Sequence, residues 1–136
     1  MLANKMVVVI AAEAPIGVAL NTAALLGVAL GHHHEQVVGA PVQDASGAVH
    51  AGMCAHPIPV LRASAEQLHD LRTQAAGREG VTVHDMNQVA QRSRTYEQYA
   101  ATLGGTKPED LEYLGLGLYG PRSAVDSLTG ALALYR

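Results

Sequence analysis

The chain has 136 residues, 49% of them apolar and 15% charged, which fits one packed domain and excludes intrinsic disorder. A net charge of −3 excludes the broad basic footprint of a protein whose main work is gripping nucleic-acid phosphates. Five Tyr with no Phe or Trp leave Leu, Val, Ile and Ala to fill the interior, so the core layers should be thin.

In chain order, Lys5 to Ile10 is a β-branched run without alternation, as a central strand covered on both faces requires. Glu13 to Gly17 is a loop. From Val18 to Leu30, Ala19, Ala23, Leu26 and Leu30 recur at helical steps among small residues, so this helix is expected to be buried around much of its circumference. Gly31 is placed to close it, with His32 to His34 at the negative end of its dipole. Glu13, Pro15 and Asn21 break the apolar run, so no bilayer-spanning stretch is expected. The N-terminus lacks the layout of a signal peptide.

Val37-Val38, Asp44 to Gly47 and Ala48 to His50 read as a hairpin around a glycine turn. Pro57 and Pro59 precede a short strand at Val60-Leu61. Ser64 and Gln67 have capping-box spacing ahead of a helix with Leu68, Leu71 and Ala75 on its apolar stripe. Val81 to His84 is the next strand, completing a strand–helix–strand unit of the parallel crossover kind. Tyr96, Tyr99 and Leu103 have helical spacing, ended by Gly104-Gly105. Tyr113 to Tyr119 alternates, with glycines on one side where another element comes close. Pro121 opens a short helix through Leu128, and Ala131 to Tyr135 reads as a final strand.

The segments Gly117 to Pro121 and Val125 to Tyr135 resemble the end of the type 2 peptidyl-tRNA hydrolases: a Gly-Pro helix start, an Asp-x-x-Thr-Gly run and a last strand. Lys5 to Ile10 resembles that family's first strand, and Pro59 to Asp85 its middle strand–helix–strand. Asn21 to Ala24 and the additions near 37–56 and 86–112 look more like an uncharacterised bacterial branch of that superfamily. The resemblance implies one α/β domain over residues 1–136, with a mixed, mainly parallel sheet of about four strands flanked by helices and an extra hairpin. It also implies a homodimer.

Inherited chemistry is another matter. The hydrolases carry an Arg where Ala11 stands, and lysines where Val18 and Leu20 stand, one of them thought to act on the ester. Gly17 matches their first helix glycine, while their Gln and His positions fall on Ala24 and Gly27. Their Asp is kept as Asp85. A developing oxyanion needs a positioned donor or cation, and those expected are missing.

The expected function is therefore a binding or regulatory module for a small anionic ligand or a protein partner, with nucleic acid disfavoured and no membrane or cofactor called for. Gly17, Gly120 and Arg122 are its candidate ligand residues, because helix N-termini and a guanidinium suit anions. Ordinary helix initiation is the plainer account of Gly120 to Arg122. The alternative is a hydrolase of altered ester or amide specificity using Asp85, Asn21 and Lys5, with Asp85 orienting water or an acid–base partner. That reading requires the three to converge. His50, Cys54 and His56 lack the spacing of a metal site, so no metal is assigned to them. Cys54, the only cysteine, reads as a small packing residue; it excludes an intrachain disulfide and suggests a reducing, cytoplasmic setting. Arg92 and Arg94 beside Tyr96 read as a solvated helix face.

Overall fold

A computed structural model describes residues 2–136. The strands are β1 (Asn4–Ala11), β2 (Val42–Gln43), β3 (Val49–His50), β4 (Val60–Ala63), β5 (Thr82–Asn87) and β6 (Tyr113–Pro121). The helices are α1 (Ile16–His33), α2 (Ala65–Ala76), α3 (Gln88–Arg92), α4 (Tyr96–Gly104) and α5 (Arg122–Thr129). Four strands form one sheet in the order β4-β1-β6-β5, and β2 and β3 form a separate hairpin.

The sheet is mixed, but its neighbour pairings are not mainly parallel. Only β1 and β4 pair in parallel; β6 runs antiparallel to both β1 and β5. The crossover from β4 through α2 therefore lands on β5 at the far edge, with β1 and β6 between. Ala131 to Tyr135 is not a strand either. It touches the outer edge of β4 through a single bridge, Leu61 to Leu134, with Arg62 N–H donating to Ala133 O and Tyr135 N–H to Val60 O.

Alternation along β1 divides the core. Val7 and Val9 face α2 and α5 with Leu68, Leu71, Leu116, Leu118 and Val125. Met6, Val8 and Ile10 face α1 with Ala19, Leu26 and Leu30. The glycines of β6 lie under α1, as the alternation predicts: a Cβ on Gly115 would stand 2.7 Å from Thr22 Cγ2, and one on Gly117 3.0 Å from Leu30 Cδ1. Removing those two methyl positions brings the helix down onto the sheet.

Local signals set the ends of several elements. Ser64 accepts from Gln67 N–H at 3.1 Å while Gln67 Oε1 accepts from Ser64 N–H at 2.9 Å, so the capping box forms. Thr95 caps α4 through Gln98 N–H. Gly31 does not end α1. The helix runs on to His33, and the glycines with positive φ are Gly47, in the hairpin turn, and Gly80. Val37-Val38 is not a hairpin strand: Val37 ends a 3-10 turn, Glu35–Val37, and the extended Val38 after it makes a single bridge to Cys54.

The main departure concerns α1. Only Ala19, Thr22, Leu26 and Leu30 are buried, whereas Ile16, Leu20, Leu25 and Val28 are 47–73% exposed. Burial around much of its circumference was expected, but no element among the described residues covers its outer side. Over 18 residues α1 contains no Asp, Glu, Lys or Arg and has mean hydropathy 1.3, so by length and composition it could cross a membrane after all. Here its buried stripe packs on β1 and β6 as part of the domain.

Candidate functional site

The upper end of the sheet holds the C-terminal ends of β1, β4 and β5; the lower end holds the N-terminus of β1 and the end of β6. A lower-end pocket of about 170 Å³ is lined by Leu2, Asn4, Lys5, His56, Pro57, Pro59 and Arg122. Three separate segments supply it. β1 begins with Asn4 and Lys5, the proline-punctuated approach to β4 brings His56 to Pro59, and α5 opens with Arg122.

Pairing of Asn4 with Pro121 and of Lys5 with Gly120 fixes how these segments meet. Arg122 N–H donates to Ala3 O at 2.9 Å and its Nε to Leu2 O at 3.1 Å, anchoring the guanidinium at the pocket. Arg122 has no carboxylate partner among the described residues. Lys5 Nζ pairs with Asp126 Oδ1 at 2.6 Å, so its charge is largely met within the fold. The pocket therefore keeps one unmatched cation, with His56 Nδ1 buried and without a hydrogen-bond partner.

Behind it lies a network centred on Tyr119. Its hydroxyl accepts from Asn4 Nδ2 at 3.1 Å and Gln36 Nε2 at 3.2 Å, and His34 stacks on its ring at 3.9 Å between centroids. His34 Nε2 meets Thr82 Oγ1 at 3.0 Å, and His33 stacks on His84 at 4.7 Å. Burial, then the neighbouring His33, hold the His34 imidazole below its ordinary value. His84 is lowered by burial first, then by His33 and His34, against the opposing pull of Asp85.

At the upper end a second cleft of about 250 Å³ lies beside the N-terminus of α1. Pro15 provides no side-chain cap, but the lining is mostly apolar and its charged members are Glu13 and Glu112. Val18, where the resemblance places a lysine, lines the cleft. It supplies no cation.

The candidate residues separate accordingly. Lys5 and Arg122 meet in the lower pocket. Gly120 pairs with Lys5 but is buried, and a Cβ there would stand 2.8 Å from Gly80 O, so its role is close packing rather than ligand contact. Gly17 lies exposed at the upper end, about 20 Å away along β1. Asp85 is on the α2 face, accepting from Asn87 Nδ2 at 3.0 Å with Arg72 Nε 3.7 Å away. Its contact with Asn87 is between neighbours two residues apart along β5. Asp85 also lines a groove with Leu25 and Ala29 of α1, Arg94 and Tyr99, but Asn21, exposed one turn before Leu25, does not line it. Asp85, Asn21 and Lys5 thus share no pocket, and the convergence required for a hydrolase is absent among the described residues.

Asn4 and Leu2 are pocket residues that sequence reasoning missed, and His56 stands out in the sequence only beside His50 and Cys54. Pro57 and Pro59 were the available signal, since they hold the chain against the start of β1. Cys54 is exposed rather than packed, its thiol donating to His56 O at 3.4 Å. His50 pairs with Asp44 at 2.8 Å instead of turning toward Cys54. With Ser46 and His50 donating to it, the Asp44 carboxyl falls to about 2. No group of three or more metal-ligating side chains forms among the described residues.

These features define a small α/β domain built on a mixed four-stranded sheet. The chain belongs to the family described as a protein of unknown function (DUF2000), which matches residues 4–136. An Agrobacterium tumefaciens C58 protein of unknown function has a similar solved structure, with TM-score 0.92 over 100% of both chains at 20% identity. That likeness shows the fold alone. No curated protein matches.

Proposed function

We propose that this domain is a binding module for a small organic or inorganic anion, held at the lower end of the sheet by Arg122 with Lys5, Asn4 and His56. The observation that carries the reading is the unmatched Arg122 guanidinium, anchored through Nε at the mouth of a pocket with an orphaned imidazole nitrogen. A guanidinium fixed at one nitrogen still offers its outer N–H groups as a fork to a carboxylate or phosphate. The volume favours a small acid over a nucleotide, since sites for larger ligands run from about 300 Å³ upward. Pro57, Pro59 and Leu2 provide apolar walls for a short carbon chain.

The reading is one of binding rather than hydrolysis because Asp85, Asn21 and Lys5 lie apart and the upper cleft has no cation. Descent from a peptidyl-tRNA hydrolase scaffold is part of the proposal, supported by the Gly-Pro start of α5 and the chain order of the main strands and helices. So is a cytoplasmic setting, which suits the exposed thiol of Cys54.

Calorimetric titration with inorganic phosphate and with acetate at low ionic strength tests it. Saturable binding of at least one is expected, weakened about tenfold in Arg122→Ala, a loss of about 1.4 kcal/mol. No binding to either, or equal binding by the variant, would overturn the proposal.

A further inference from the structure

The two edges of the sheet are finished differently. Along β4 the segment from Ala131 to Tyr135 lies as an extended chain, with Arg62 N–H donating to Ala133 O and Tyr135 N–H to Val60 O. No segment among the described residues pairs in this way with the outer edge of β5.

Strand parity shows which groups that edge presents. Val8 N–H donates to Pro59 O, so even-numbered residues of β1 turn their backbone groups to β4 and odd-numbered ones to β6. Through the registers of Val7 with Leu118 and Thr82 with Tyr119, the bonds from β5 to β6 then fall to Thr82, His84 and Met86. Val83 and Asp85 point their N–H and C=O groups outward, and no backbone group elsewhere among the described residues meets them. An open row of this kind is a template for another strand, and edges are commonly blunted by Lys, Pro or a bulge. Thr82 to Asn87 contains no Lys or Pro, and the register stays regular as far as Met86.

A groove of about 440 Å³ lies over this edge. Asp85 stands opposite Leu116 on the α2 face, whereas Leu25 and Ala29 belong to α1 on the other face. A groove that all three line must cross the outer edge of β5. Tyr96 and Tyr99 of α4 form its far wall, with Arg94 beside them. The groove shares no lining residue with the anion pocket, so either reading can fail alone.

Chemistry selects the occupant. Backbone donors and acceptors in a row suit an extended peptide, and the apolar surfaces of α1 and α4 suit its side chains. Asp85 accepts from Asn87 and has Arg72 Nε 3.7 Å away, while Arg94 has no carboxylate partner among the described residues. The charge left open in the groove is therefore positive. We propose that the outer edge of β5 takes up an extended peptide of a partner protein as a further strand. It pairs at Val83 and Asp85, seats an apolar side chain between α1 and α4, and sets a carboxylate on Arg94.

Amide hydrogen exchange on the full chain, followed by NMR, is the first arm of the test. In the free protein the Val83 and Asp85 amides should exchange at least about tenfold faster than those of His84 and Met86. The second arm probes the chain with an array of tetrapeptides built from Val, Leu, Tyr and Thr and ending in Glu. Saturable binding of some members is expected, with slowed exchange at Val83 and Asp85. Methylating the peptide's backbone nitrogens, or Arg94→Glu in the protein, should each weaken binding about tenfold. The exchange and methylation arms use the parent protein, so they report even if the variant misfolds. Edge amides already protected in the free chain, an array with no binder, or equal binding by methylated peptide or by Arg94→Glu would overturn the proposal. Protection that rises with protein concentration alone would overturn it in favour of strand pairing between copies.

Discussion

Two clefts at opposite ends of the sheet are built on the same strands but furnished oppositely. At the upper end, where α/β sheets usually place ligands, alanines, Val18 and Leu114 line a cleft whose charges are Glu13 and Glu112. At the lower end, Lys5, Arg122 and His56 converge beside Asn4, with His33, His34 and His84 behind them. An uncapped helix N-terminus favours anions at the upper end, but two carboxylates there work against it. Charge inventory, rather than topology, decides which of these two clefts suits an anion.

The largest break in this comparison should come from Arg122→Glu. Reversing the one unmatched charge of the lower pocket is expected to weaken phosphate binding about 30-fold, or about 2 kcal/mol by calorimetry. Unchanged binding would mean that the ligand sits elsewhere. Lys5→Ala should be milder, because Asp126 already takes most of that charge: a few-fold loss of affinity, with about 0.2–1 kcal/mol of stability lost in urea.

Acid should also distinguish the ends. The folded protein holds His34 and His84 below the ordinary histidine value of 6.5, so the unfolded chain binds protons that the folded chain refuses. Their contribution leaves stability complete above pH 6.5 and eroding as pH falls through that value. The melting temperature should fall by a few degrees between pH 7.5 and 5.5, and His84→Asn should flatten the profile. A parent profile that does not fall over that range would contradict the account. The smallest effect belongs to the upper end: Glu13→Gln with Glu112→Gln should leave phosphate affinity within about twofold. A large gain would show that the carboxylates had been blocking the true site.

Much of the fold was legible because local chemistry sets it. The β-branched run of β1, the Ser64/Gln67 capping box and the glycines of β6 each announce themselves over a few residues. Sheet order was less accessible, since the strand–helix–strand pattern does not say that β1 and β6 come between β4 and β5. The tail misled because Leu132 and Leu134 alternate like a strand, although only one bridge ties it to β4. Periodicity also could not show that the outer face of α1 is open, because an apolar helix facing solvent has the same pattern as one enclosed on all sides.

The candidate site was half legible. Lys5 and Arg122 were singled out on separate grounds, one as catalytic and one as a ligand residue. Only the antiparallel register of β1 with β6 brings them together. Asn4 carries no local mark, His56 stands out only beside His50 and Cys54, and strand alternation and helix phase keep Asp85 and Asn21 out of the Lys5 pocket, which neighbouring residue types do not reveal.

The most direct test of the account is a backbone amide NMR titration of the full chain with inorganic phosphate. The account predicts shifts concentrated at Asn4, Lys5, His56 and Arg122, with Ala12 to Val18 and Glu112 to Leu114 unmoved. Shifts confined to the upper cleft, with the lower pocket silent, would contradict it.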